Sequence, residues 1–136
     1  MKNRFYLLDT HVLLWLLTGK SDKFKGNNVS FLNEICYISV ESLKEIALKI
    51  YHGKMDDVES NPKRLFRQIA DLGISILDYD KGAVSALFNL PVSPSNTDPF
   101  DRSIIAHAIS KKMVLVSKDE KFPFYQKHGL LLQRLK

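Results

Sequence analysis

Five carboxylates fall where an α/β chain would place its chemistry. Asp9 directly follows the apolar run Phe5–Leu8, and Asp119 lies just beyond Val114–Val116. Glu45 sits in the helical pattern after Cys36–Val40, and Asp98 and Asp101 bracket Pro99-Phe100 at a helix start. If two strand ends and a first helical turn meet at one sheet edge, these acids repel one another. Burial then raises their pKa values unless a cation compensates. The matching cation is hard and oxygen-seeking, Mg²⁺ or Mn²⁺. Such a centre activates water and neutralises a phosphodiester, as many nucleases do.

Each acid also has a plain structural role open to it. Asp9-Thr10 can cap a helix beginning near Val12. Glu45 can pair with Lys49 one turn on. On that helix Leu43, Ile46, Ala47 and Ile50 form the apolar stripe, which turns Glu45 away from the core beside Glu41 and Leu48, so spacing does not choose between Glu45 and Glu41. Asp98-Pro99-Phe100-Asp101 reads as cap, first-turn proline and first-turn acid, all favourable at a helix start. Asp119-Glu120 can cap a short helix before Pro123. Only the joint placement of the acids argues for a centre.

Other chemistries are harder to build from these residues. Gly19-Lys20-Ser21 ends like a phosphate loop, but Leu14 stands where its first glycine belongs, and no G-x-G-x-x-G or G-x-S-x-G is present. His11, His52, His107 and His128 share no metal-ligand spacing, and the single cysteine excludes a disulfide framework or a cysteine-based zinc site. A phospho-acceptor receiver domain would share an acid after the first strand, Asp78 after the third and Lys118. It wants paired acids near the first strand and a proline after that lysine, where Asp119 stands. A haloacid-dehalogenase-type phosphatase needs Asp-x-Asp, and His11 breaks the pattern.

The positioning elements follow from the period of the apolar residues. The chain has 136 residues, 45% hydrophobic and 26% charged, which suits one globular domain over 1–136. Strands are expected at Phe5–Leu8, Cys36–Val40, Ile74–Leu77, Val114–Val116 and Leu130–Leu132. Helices are expected at Val12–Leu17, about Glu41–Tyr51, from Pro62 with a stripe of Leu65, Ile69 and Leu72, from an Asp80 cap to about Asn89, and at Pro99–Lys112. Val29–Glu34 is expected to be a helical turn or two, and Lys20–Asn28 and Leu90–Thr97 loops. This alternation predicts an α/β fold with a largely parallel sheet, whose ligands bind at the carboxyl ends of the strands. No apolar run reaches the roughly 18 residues of a membrane span, and Asp9 and His11 interrupt any leader-like start. The expectation is a soluble, cytoplasmic, reduced protein. Its net charge of +5 suits a polyanionic partner without demanding one.

Leu7-Leu8-Asp9-Thr10-His11-Val12-Leu13-Leu14-Trp15 resembles the opening of the PIN-domain ribonucleases, in particular the VapC-like toxins of bacterial type II toxin–antitoxin pairs. The resemblance continues, in the family's order and spacing, through Glu45-Ile46-Ala47-Leu48-Lys49, Asp98-Pro99-Phe100-Asp101-Arg102 and Leu115-Val116-Ser117-Lys118-Asp119. It implies a three-layer α/β/α sandwich and an acidic Mg²⁺ or Mn²⁺ centre that cleaves RNA with activated water. Asp9 matches the family's first acid, Glu45 rather than Glu41 its helix-borne glutamate, Asp101 its third acid and Asp119 its more variable fourth. Thr10, Asp98 and Ser117 would support these ligands, Asp98 as a helix cap first. Lys44 stands where many relatives carry an aromatic, and Ser117 where threonine is usual.

The resemblance also implies an antitoxin partner and a homodimer. Short of a toxin pair, a PIN-fold nuclease of RNA maturation or decay fits the same residues. Lys44, Lys49, Arg102 and Lys118 are candidates for phosphate contacts, which give salt-dependent affinity with little sequence information. Trp15 and Phe100 could stack on bases, although a core or interface place suits them better.

Overall fold

The computed structural model describes residues 4–136. Five strands, β1 (Phe5–Leu8), β2 (Ile35–Ser39), β3 (Ile74–Leu77), β4 (Val114–Ser117) and β5 (Leu131–Arg134), form one sheet in the order β3-β2-β1-β4-β5. Every pairing is parallel, and Leu8 at the end of β1 stands opposite Ile38 on one side and Val116 on the other. The chain winds outward from β1 to β3 and then returns to place β4 on the far side of β1. Strand order therefore reverses between β1 and β4, and in doubly wound sheets the crevice outside that reversal is where ligands bind.

The helices are α1 (Thr10–Leu17), α2 (Val40–Tyr51), α3 (Pro62–Asp71), α4 (Lys81–Phe88) and α5 (Pro99–Lys111). Alternate strand residues point to opposite sheet faces. Tyr6 and Leu8 join α1, α2 and α3 in one core with Ile38, Ile46 and Ile69, whereas Leu7 and Leu115 join α5 in a second with Ile104, Ile105 and Tyr125. The result is the expected three-layer α/β/α sandwich. No helix among the described residues is long and apolar enough to cross a membrane.

Helix starts carry side-chain caps, because the first backbone N–H groups of a helix have no partner within it. Asp9, Ser39, Asn61, Asp80 and Asp98 accept from the first turns of α1 to α5 in that order, and Pro62 and Pro99 occupy opening positions. Capping by Ser39 moves the β2–α2 junction one residue earlier than the sequence pattern predicts. β5 begins one residue later than expected and runs to Arg134, because Leu130 turns into the core while Leu131–Arg134 pair with β4.

Three expectations on packing are corrected. Leu72 is 43% exposed, since it is the C-cap of α3 rather than part of its buried stripe. Asp119 is not a helix cap: the 3₁₀ turn Phe122–His128 begins after Lys121 without a side-chain cap, and Asp119 accepts from the Lys121 N–H instead. On α2, Ala47 faces solvent while Glu41 and Glu45 are buried, because α2 crosses α5 as well as packing on the sheet.

The end of α5 generates a stability prediction. Lys112 adopts a left-handed backbone, φ 55°, to close the helix through its N–H to Ala108 and Ile109. That conformation costs an L side chain about 1 kcal/mol, which glycine escapes. Lys112→Gly is expected to raise Tm by roughly 2–4 °C, measured by thermal circular dichroism. An unchanged or lower Tm would mean that the lysine side chain offsets the strain through its own contacts.

Candidate functional site

At the reversal point, β1 leads directly into Asp9 and β4 ends in Ser117. The Asp9 N–H continues the sheet ladder to the Val116 carbonyl at 2.9 Å, so the strand geometry holds the Asp9 backbone. Its side chain is buried, with Oδ1 accepting from the Thr10 N–H at 2.8 Å and Oδ2 from the Ser117 hydroxyl at 2.7 Å. Ser117 Oγ in turn accepts from the Asp119 N–H at 3.0 Å, which ties the segment after β4 to the same carboxylate. Thr10 Oγ1 donates to Ser42 Oγ at 2.8 Å and so joins the first turn of α1 to α2. Burial raises the Asp9 pKa, opposed by Ser117, Thr10 and the charge of His11, and Glu45 raises it further.

Asp101 opens α5, its N–H held by Asp98 Oδ1 at 2.9 Å. Its pKa is pushed up to about 7, first by burial and then by the charges of Asp9, Asp98, Asp119 and Glu45. The fold thus brings the five carboxylates singled out in the sequence, carried by four separate segments, into one electrostatic neighbourhood. It also separates Glu45 from Glu41. Glu45 faces Asp9 and Asp101 and pairs with Lys49 at 3.3 Å, whereas Glu41 faces Tyr79 and His107 and pairs with Lys44 at 2.9 Å. Among the described residues, no ion pair involves Asp9, Asp98, Asp101 or Asp119. Nor do any three His, Cys, Asp or Glu side chains there close on a common point as they stand.

The cationic candidates divide. Lys44 is exposed, and Lys49 and Lys44 lean on their own helix's acids. Lys118 lies over the Trp15 ring at 5.6 Å. Arg102 is turned inward: its guanidinium donates to the Leu90 and Pro91 carbonyls at 2.9 Å each, clamping the loop that leads into Asp98. Trp15 is a core residue edge-on to Phe24, and Phe100 is half-buried. Sequence reasoning passed over Ser42 and Ser39 and weighed His107 only as a metal ligand. The signal available for the first two was a pair of small hydroxyl residues one turn apart at the start of α2, next to the expected glutamate.

A PIN domain matches residues 6–127. Among solved structures, VapBC2 from Rickettsia felis, bound to a promoter DNA fragment, shares 16% identity at TM-score 0.67, covering 97% of this chain and 99% of that one. DNA-bound VapBC from Salmonella typhimurium shares 21% at TM-score 0.64, with 98% of each chain covered. VapBC-1 from nontypeable Haemophilus influenzae shares 17% at TM-score 0.60, covering 96% and 97%. No curated protein matches the sequence.

The Asp101 carboxyl carries a pH signature. In the folded, metal-free chain it keeps its proton up to about 7, whereas in the unfolded chain it loses it near the ordinary 3.8. Stability therefore falls as pH rises between those values and stays reduced above them. Asp101→Asn is expected to melt at least about 3 °C above wild type at pH 8 with EDTA, and much nearer to it at pH 4. Parallel pH–Tm curves for the two proteins would place Asp101 outside the acidic neighbourhood.

Proposed function

The chain belongs to the PIN-domain family, and on that premise we propose that it is a metal-dependent endoribonuclease acting as the toxin of a toxin–antitoxin pair. The observation that carries the reading is the convergence of Asp9, Glu45, Asp101 and Asp119 at the strand-order reversal, with no cation among the described residues paired to three of them. Likeness in fold to the VapBC chains supports the toxin half of the reading. The proposed protein is a single PIN-like domain working in the cytoplasm as a homodimer, held in check by a cognate antitoxin.

Asp9, Glu45, Asp101 and Asp119 would hold Mg²⁺ or Mn²⁺. All offer carboxylate oxygens, the donors a hard cation takes. As no three such side chains among the described residues close on one point, gripping one ion would require side-chain movement about backbone positions that the fold sets. Such an ion supplies Lewis-acid activation of water and neutralises charge on the phosphodiester. Thr10 and Ser117 orient Asp9, each donating to one of its two carboxylate oxygens. Asp98 fixes the first turn of α5 and with it Asp101. Lys44, Lys49 and Lys118 would touch the RNA backbone, whereas Arg102 acts by keeping the loop before Asp98 in place.

Two experiments test the reading. Induced expression of the wild-type chain is expected to arrest growth, with relief by Asp9→Asn or by co-expression of the neighbouring small reading frame. Purified protein is expected to cut RNA with Mn²⁺ and to lose at least about 100-fold in rate on Asp9→Asn, or with EDTA. Cleavage without arrest would favour a nuclease of RNA maturation or decay. No cleavage of any RNA by folded, Mn²⁺-loaded protein would sink the enzymatic reading.

A further inference from the structure

Ser39 and His107 are both fully buried, and neither is a candidate ligand. His107 Nδ1 lies 2.8 Å from Ser39 Oγ. Ser39 Oγ already accepts from the Glu41 N–H at 3.1 Å, so the hydroxyl's own proton is free for Nδ1. If Nδ1 takes that proton, the ring is the neutral Nε2–H tautomer. Nε2 is buried beside the Asp78 carbonyl but makes no hydrogen bond of standard geometry. Tyr79 closes the pocket: its ring stands edge-on to the imidazole at 4.8 Å, and its hydroxyl donates to the Ser103 carbonyl at 2.8 Å. Leucine would fill such a space without asking for a partner, yet the chain places a polar ring there and aims its one firm hydrogen bond at the N-cap of α2.

The two elements it joins are the carboxylate-bearing helices. His107 follows Asp101 by six residues on α5, and Ser39 precedes Glu45 by six on α2, each about 9 Å along a helix. The contact is therefore the fixed point from which both acids project. The charged groups around His107 are Lys111 on its own helix, Asp80 after β3 and Glu41 on α2. Burial, then Lys111, holds its pKa below the ordinary histidine range, in keeping with a neutral ring.

We propose that His107 is a positioning residue: through Ser39 it seats α5 against the first turn of α2 and so sets the separation of Asp101 and Glu45. The inference rests on the metal-centre reading above. Its test uses the intact chain, with His107→Leu, His107→Asn and Ser39→Ala each checked for a cooperative melt. Mn²⁺ affinity is read by electron paramagnetic resonance, and exchange of the α2 first-turn amides is read in the metal-free proteins.

Leucine at 107 and alanine at 39 are each expected to weaken Mn²⁺ binding by about tenfold or more and to speed exchange at Glu41. Asparagine, which keeps an acceptor near the Nδ1 position, is expected to stay within about threefold of wild type. The Ser39→Ala/His107→Leu double variant is expected to lose no more than Ser39→Ala alone, which removes the shared contact together with the cap on the Glu41 N–H. Should His107→Leu fail to fold, Ser39→Ala decides alone. Wild-type affinity in a folded variant that lacks the contact overturns the inference, whether or not exchange changes. A wild-type chain that binds no Mn²⁺ overturns the metal reading and this inference with it.

Discussion

The structure turns on one buried carboxylate. Asp9 sits at the end of β1 where water is largely excluded, and an isolated charge there is costly unless it is hydrogen-bonded or paired. Two donors partly offset that cost: the Thr10 N–H, supplied by the helix Asp9 itself caps, and the Ser117 hydroxyl, supplied by the neighbouring strand. The second exists only because β1 and β4 run parallel side by side. A register slip of one residue between these strands would turn Ser117 to the opposite face and leave Oδ2 bare. The sheet and this hydrogen-bond pair are thus one constraint.

The remaining acids are brought to Asp9 by helix starts, and helix starts are what a short sequence can specify locally. Asp98 aims the first turn of α5 by capping it, and the Arg102 clamp fixes the loop from which Asp98 emerges. The same stretch therefore does two jobs, and its structural reading and its functional one are not rivals. A cap sets the direction of α5, and that direction sets the place of Asp101. On α2 the logic differs, because Glu45 is buried by the crossing of α5 rather than by any local signal.

That difference marks how far the sequence could be read. Strand and helix positions, the caps at Asp80 and Asp98, and the parallel sheet follow from period and turn chemistry, both properties of neighbours along the chain. The strand order does not, and without it the meeting of Asp9 with Asp119 rested on resemblance. Glu45 and Glu41 share a helical face, so local spacing could not separate them. The structure does so through partners more than thirty residues away, Asp9 and Asp101 for one and Tyr79 and His107 for the other. The burial of that face and the inward turn of Arg102 were misjudged for the same reason: each depends on an element that docks from elsewhere.

The overall charge and the local charge of the chain have opposite signs. A net +5 draws a polyanion to the surface at long range, while the carboxylate cluster repels it at the crevice. On the proposed reading these are not in conflict, because a divalent cation would reverse the sign of the crevice alone. One lysine beside the cluster already leans on a glutamate of α2, Lys49 on Glu45. Neutralising Glu45 from the cleft side would weaken the hold on Lys49 and free it towards phosphate. Cation and polyanion would then each favour the other's binding, by an equal factor in both directions as linkage requires. On that reading the basic surface and the acidic centre would be two halves of one binding device, and the switch between them would be the charge state of a few carboxylates held in place by the sheet.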